Sequence, residues 1–173
     1  NSGIVTSVGE EELKSYQKEQ ALRGLAFQRS VEEKAYKAGG GKFVAPAQRL
    51  EDFTRNRLST SLPDCSYVPG VQSALLSEVL PSFVYTRLKK AFPEFGKKMK
   101  GYFTNDAIVV ATESRTSSPV RIPRNNKTLE HDQVAGLYPC GEGAGFAGGI
   151  VSAAMDGERV ARAIAERLLG GSY

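Results

Sequence analysis

The sequence predicts an α+β fold: a mostly helical first part, then a strand-richer second part that closes on a strand, a glycine loop and a long helix. Three observations carry this. Apolar residues recur at helical spacing over 24–37 and 81–95. Residues 107–112, Ala-Ile-Val-Val-Ala-Thr, form a continuous apolar run of strand length. Six glycines crowd into the fourteen residues 136–149, directly before a final helical pattern.

The elements follow in order. Residues 3–8 are β-branched and predict a short strand, and 10–22 are polar and helix-prone. Over 24–37, Leu25, Phe27, Val31, Ala35 and Tyr36 define a half-buried helical face. That helix stops at Gly39-Gly40-Gly41, where fixing the backbone costs too much entropy. Lys42-Phe43-Val44 is extended. Pro46 suits the first turn of a helix, where its missing N–H has no partner to lose, and this helix runs to about Arg57. Residues 59–70 read as a loop and 71–80 as a helix. Pro81 opens another helix with Phe83, Val84, Leu88, Ala91 and Phe95 on one side, and Pro93 interrupts or ends it. Composition changes at the turn 101–106, which places a boundary near residue 104 and gives domains 1–104 and 105–173. In the second, 107–112 is a strand buried on both faces, Val120-Arg121-Ile122 alternates as an exposed strand does, and 124–134 is a surface loop. Leu137-Tyr138 supplies a short strand. From Ile150 onward, Ala153, Ala154, Gly157, Val160, Ala161, Ile164 and Leu168 share one helical face with it, and Gly170-Gly171 ends the helix.

Composition excludes several classes. A chain of 173 residues, 40% hydrophobic, can bury a core and is not a disordered tail. No apolar run approaches the ~20 residues that a membrane-spanning helix needs. Cys65, Cys140 and His131 lie far apart, so neither a disulfide framework nor a metal site is expected, and the setting reads as reducing and cytoplasmic. His131, in a polar loop, has no evident orienting partner for catalysis. The first residue is Asn1 rather than Met, which suggests a chain that begins inside a longer polypeptide. The net charge of +4 has a local source in Arg87, Lys89, Lys90, Lys97, Lys98 and Lys100, with Phe92, Phe95, Tyr102 and Phe103 interleaved. Such a stretch, 83–103, is either a nucleic-acid or interaction surface or an amphipathic helix with lysines in water and aromatics in a core.

The order strand, glycine loop, helix aims unpaired N–H groups and the positive helix end at one spot. That spot suits a phosphate or another electron-rich group, and glycine lets it approach the backbone. Gly143, Gly145 and Gly148 fit G-x-G-x-x-G, and no Lys-Ser/Thr follows, so a nucleoside-triphosphate loop is excluded. A full dinucleotide unit also needs a second strand ending in an acidic residue about 20 residues on. Here only one helix follows, so the loop is read as part of a site whose remainder lies elsewhere. Glu142 can accept hydrogen bonds from sugar hydroxyls, or simply favour the helix dipole.

The stretch 136–157, Gly-Leu-Tyr-Pro-Cys-Gly-Glu-Gly-Ala-Gly-Phe-Ala-Gly-Gly-Ile-Val-Ser-Ala-Ala-Met-Asp-Gly, resembles the closing segment of flavoproteins with a glutathione-reductase-like FAD domain. Three more stretches narrow the resemblance to a bacterial family of FAD-dependent dehydrogenases. They are Phe27-Gln28 with Glu32 and glycines 39–41; Ala45-Pro46-Ala47-Gln48 with Asp52-Phe53; and Glu113-Ser114-Arg115-Thr116-Ser117-Ser118-Pro119-Val120-Arg121-Ile122. The resemblance implies the C-terminal third of a flavin oxidoreductase. Residues 1–104 would belong to a substrate-side or cap domain, and 105–173 would complete a Rossmann-like FAD domain begun by the N-terminal part of the same protein. It implies FAD contacts from Gly141, Glu142, Gly143, Ala144, Gly145, Phe146, Ala147, Gly148 and Gly149, and NAD(P)H as a possible electron donor. Arg115 is the one catalytic candidate, holding an anionic substrate or reduced flavin, unless it simply pairs with Glu113. Cys140 stands where the family has a small residue, and is not read as a redox thiol.

Overall fold

The computed structural model describes residues 2–114 and 117–170. It is an α+β structure. An irregular 3-10 stretch, Glu11–Leu22, precedes α1 (Arg23–Ala38), β1 (Ala45–Arg49), α2 (Leu50–Arg55), β2 (Val71–Ser73), α3 (Leu76–Val79), α4 (Ser82–Lys98), β3 (Ile108–Val110) and α5 (Ile150–Leu169). The chain divides into two compact units, Asn1–Ser15 with Ala26–Ser114, and Tyr16–Leu25 with Arg115–Tyr173.

The first unit is built on a three-stranded mixed sheet in the order β2-β1-β3. β1 pairs parallel to β2, Ala45 with Val71, and antiparallel to β3, Ala47 with Val110. The central strand reads Ala-Pro-Ala-Gln-Arg, without one β-branched residue, and its first four residues are buried. Pro46, expected in a helix, is instead the second residue of this strand. Its carbonyl still accepts from Ala111 N–H at 3.0 Å. The N–H it lacks falls at the end of the β1–β3 ladder, so the loss is confined to one terminal bond. Small side chains let helices close on the sheet: Leu50, Phe53, Leu76, Val79, Leu88 and Phe92 form the core around it. Gln48, wholly buried, binds two segments at once. Its Oε1 accepts from Leu76 N–H at 2.8 Å, and its Nε2 donates to the Arg57 carbonyl at 2.8 Å.

Several expectations are corrected here. Residues 71–80 are not one helix but β2 followed by the short α3. The parallel partner β1, which no local pattern announces, draws Val71–Ser73 into the sheet. α4 runs unbroken through Pro93. The bond lost there belongs to the carbonyl of Lys89, an exposed residue, while Phe92 and Phe95 hold both sides of the proline in the core. β3 is a three-residue edge strand, half-buried with Val110 39% exposed, rather than a strand covered on both faces. The stretches 3–8, 120–122 and 137–138 form no strand, since none finds a partner to complete a ladder.

The second unit holds α5 and the loops before it, with Leu129, Pro139, Ala144 and Val160 among its buried residues. Arg167 anchors the end of α5 by donating to Glu130 and, at 2.8 Å, to the Tyr138 hydroxyl. No helix among the described residues is long and apolar enough to cross a membrane.

Candidate functional site

The glycine loop 141–149 is a run of tight turns leading straight into α5. Gly145 N–H donates to the Glu142 carbonyl at 2.9 Å, and Phe146 N–H to the Gly141 carbonyl at 3.0 Å. Those two amides are committed inside the loop. No side chain caps α5, whose N-cap is Gly149, so its first-turn amides have no acceptor within the helix.

The glycines do not share one role. Gly145 has φ +82°, and a Cβ there would lie 2.7 Å from the Val120 carbonyl oxygen. Only glycine fits that backbone. Gly143 and Gly148 have no such constraint: a Cβ on either would meet nothing within 4 Å. No contact in the chain requires glycine at either position, and each leaves open backbone that a ligand can reach.

Segment 118–122 runs beside this loop, so the two most specific stretches of the sequence meet in one unit. Ile122 N–H donates to the Ala144 carbonyl at 3.1 Å, and Ser118 Oγ, whose nearer acceptor is the Val120 carbonyl at 2.8 Å, lies 3.2 Å from the Gly143 carbonyl. The ring of Phe146 carries two guanidiniums, Arg124 at 3.6 Å and Arg121 at 4.4 Å from its centroid. Arg124, 4% exposed at its side chain, forms a bidentate pair with Asp156 at 2.6 and 2.9 Å and also donates to the Pro139 carbonyl. Asp156 accepts Gly141 N–H at 2.9 Å as well. These bonds, the Arg124 pair foremost, hold its carboxyl below the usual carboxylate range. The pair thus joins α5, the loop start and segment 121–124. In the sequence Asp156 reads as part of α5's polar face. The one available signal was its place one turn before the inward Val160.

The predicted cofactor residues Gly141 to Gly149 therefore lie together, with Glu142 exposed and Ala144 buried. Arg115, the catalytic candidate, lies outside the described residues. Its neighbour Ser114 is held by two residues of the Phe27-Gln28…Glu32 stretch. Gln28 Nε2 donates to the Ser114 carbonyl at 3.1 Å, and Ser114 Oγ donates to Glu32 at 2.5 Å. The Ala45…Phe53 stretch is structural throughout. Asp52 is buried; Ser59 and Arg57 donate to it, outweighing the upward push of burial, and its carboxyl sits below the ordinary range. His131 Nδ1 accepts the N–H groups of Gln133 and Val134 at 3.0 and 3.1 Å, closing a turn. Cys65 and Cys140 are free thiols.

The basic helix α4 turns its aromatics inward. Phe92 is buried, and Tyr85, Phe95, Tyr102 and Phe103 pack on the same core. Bases would find no stacking platform among these rings, so the nucleic-acid alternative is not favoured.

A family model described as "FAD-dependent protein, C-terminal domain-like" matches residues 1–116, ending before the glycine loop. An uncharacterised protein of Clostridium beijerinckii is 48% identical over 169 residues, covering 96% of this chain and 31% of that protein. The chain thus spans about a third of the length of the curated relative it matches.

Proposed function

The chain belongs to the family of FAD-dependent proteins that share this C-terminal domain, and from that premise we propose that it supplies the closing part of the FAD site in a longer oxidoreductase. The observation that carries the reading is the open backbone at Gly143 and Gly148, where a side chain would meet only space. Gly141 to Gly149 would line the cofactor, with Glu142 placed for sugar or ribityl hydroxyls. The amides beside the α5 N-terminus would meet its electron-rich part. FAD, when bound, supplies hydride transfer; the chain's own part is to hold and orient it.

The partner in this reading is the N-terminal FAD-binding part of the same protein. Residues 105–173 would complete its Rossmann-like domain, and 1–104 would form the cap on the substrate side. The apolar face that α5 leaves in water, Ile150 93% and Val151 72% exposed, supports such a cover. The substrate is a small molecule of unassigned class, the setting is the cytoplasm, and a nicotinamide donor rests on resemblance alone.

The test is flavin content. The full-length protein carrying these residues should purify with a flavin absorbance band, and Gly143→Val or Gly148→Val should lose most of it, while the flavin-free forms of wild type and variants melt at the same temperature. Unchanged flavin in both variants would sink the loop assignment. Residues 1–173 alone should bind FAD weakly, because much of the site would be missing.

A further inference from the structure

We propose that Arg121 is an anchor for the phosphate groups of the ligand held at the glycine loop. This deepens the FAD reading above and rests on it. The loop site carries two guanidiniums on one aromatic ring, and they differ in their charge balance. Arg124 is buried and its charge is matched by Asp156 in a bidentate pair. Arg121 is exposed, and among the described residues its guanidinium has the Phe146 ring as its contact and no carboxylate beside it. A cation held over a ring face keeps its fork of N–H donors free at the edge.

The position is fixed. Gly145 passes so close that a Cβ on it would lie 3.0 Å from Arg121 Cα, and the next residue, Ile122, is bonded to Ala144. The guanidinium is therefore tethered to the loop whose Gly143 and Gly148 leave backbone open. A delocalised, always charged fork pairs bidentately with two phosphate oxygens, and an uncharged flavin ring offers no such pair of anionic acceptors. Arg121 should thus recognise the phosphates rather than the flavin ring.

The test is a titration of the apo form of the full-length protein with FAD and, separately, with riboflavin, which lacks phosphate. Arg121→Gln should weaken FAD about ten- to a hundredfold, the scale of a lost charge-assisted pair, and leave riboflavin within about twofold. Arg121→Lys should fall between, since it keeps the charge but not the fork. The FAD constant of wild type should weaken with added salt more steeply than that of the glutamine variant. Unchanged FAD affinity in Arg121→Gln would overturn the proposal. So would equal weakening of FAD and riboflavin, which would make Arg121 a support for the loop. A wild type that binds riboflavin and FAD equally refutes the phosphate anchor but leaves the flavin site standing; one that binds neither removes the FAD reading and this anchor with it.

Discussion

Gly143 and Gly145 stand two residues apart, and the same substitution should separate them. Alanine at 145 must hold φ near +82° and place a Cβ against the Val120 carbonyl. It should cost about 2 kcal/mol or more, as a strained left-handed residue with a backbone clash. Alanine at 143 meets nothing within 4 Å and should stay within about 0.5 kcal/mol. Urea unfolding of the two variants measures the difference, and equal costs would contradict these separate roles. Asp156 makes a second residue-scale prediction. Its pKa is depressed, chiefly by the Arg124 hydrogen bonds. Its contribution is therefore complete above the unfolded value of about 4 and is lost as pH falls through the lower folded value. Asp156→Ala should cost about 3 kcal/mol or more near neutrality, because Arg124 stays buried without its carboxylate. The variant should also lose part of the wild type's fall in stability below pH 4, which denaturant curves at several pH values would show.

At the scale of elements, α4 persists through a residue that breaks helices. Pro93 removes one backbone bond and carries a helix penalty of about 3 kcal/mol against alanine. Packing of Phe92 and Phe95 in the core outweighs it. Pro93→Ala should therefore raise stability, by about 1–3 kcal/mol; a loss would mean that the ring's own packing matters more than the restored bond. This balance explains what the sequence could reveal. α1, α4 and α5 were legible because each is long and carries an apolar stripe at helical spacing. β1 was not, because Ala-Pro-Ala-Gln-Arg has no strand signature, and its place is set by neighbours distant in sequence. Pro46 even pointed the other way. β2 has its strand character only through β1, its parallel partner. In the site, the glycine loop was legible from composition. The Arg124–Asp156 pair was not, since it joins residues far apart in the chain that look like ordinary surface charges.

For the whole molecule, the decisive contrast is between the two units. The first encloses a core of aromatic and aliphatic side chains around a sheet. The second buries Leu129, Ala144 and Val160, yet leaves Ile150, Val151, Met155, Leu168 and Leu169 of α5 each at least 65% exposed. An apolar arc that wide on one helix is what a helix between two layers carries. Polar substitution separates the two settings. In the isolated 173-residue chain, Val151→Gln with Met155→Gln should change stability by less than about 0.5 kcal/mol, because both side chains already meet water. In the full-length protein the same change should cost about 3 kcal/mol or more, since each buried aliphatic side chain is worth about 1.5–3 kcal/mol. Parallel denaturant curves on the two proteins decide it. A small cost in both would leave the face in water and remove the support it lends to a covering N-terminal part. A large cost in the longer protein alone would place that part on the face that begins at the glycine loop, where the cofactor's remaining contacts would have to come from.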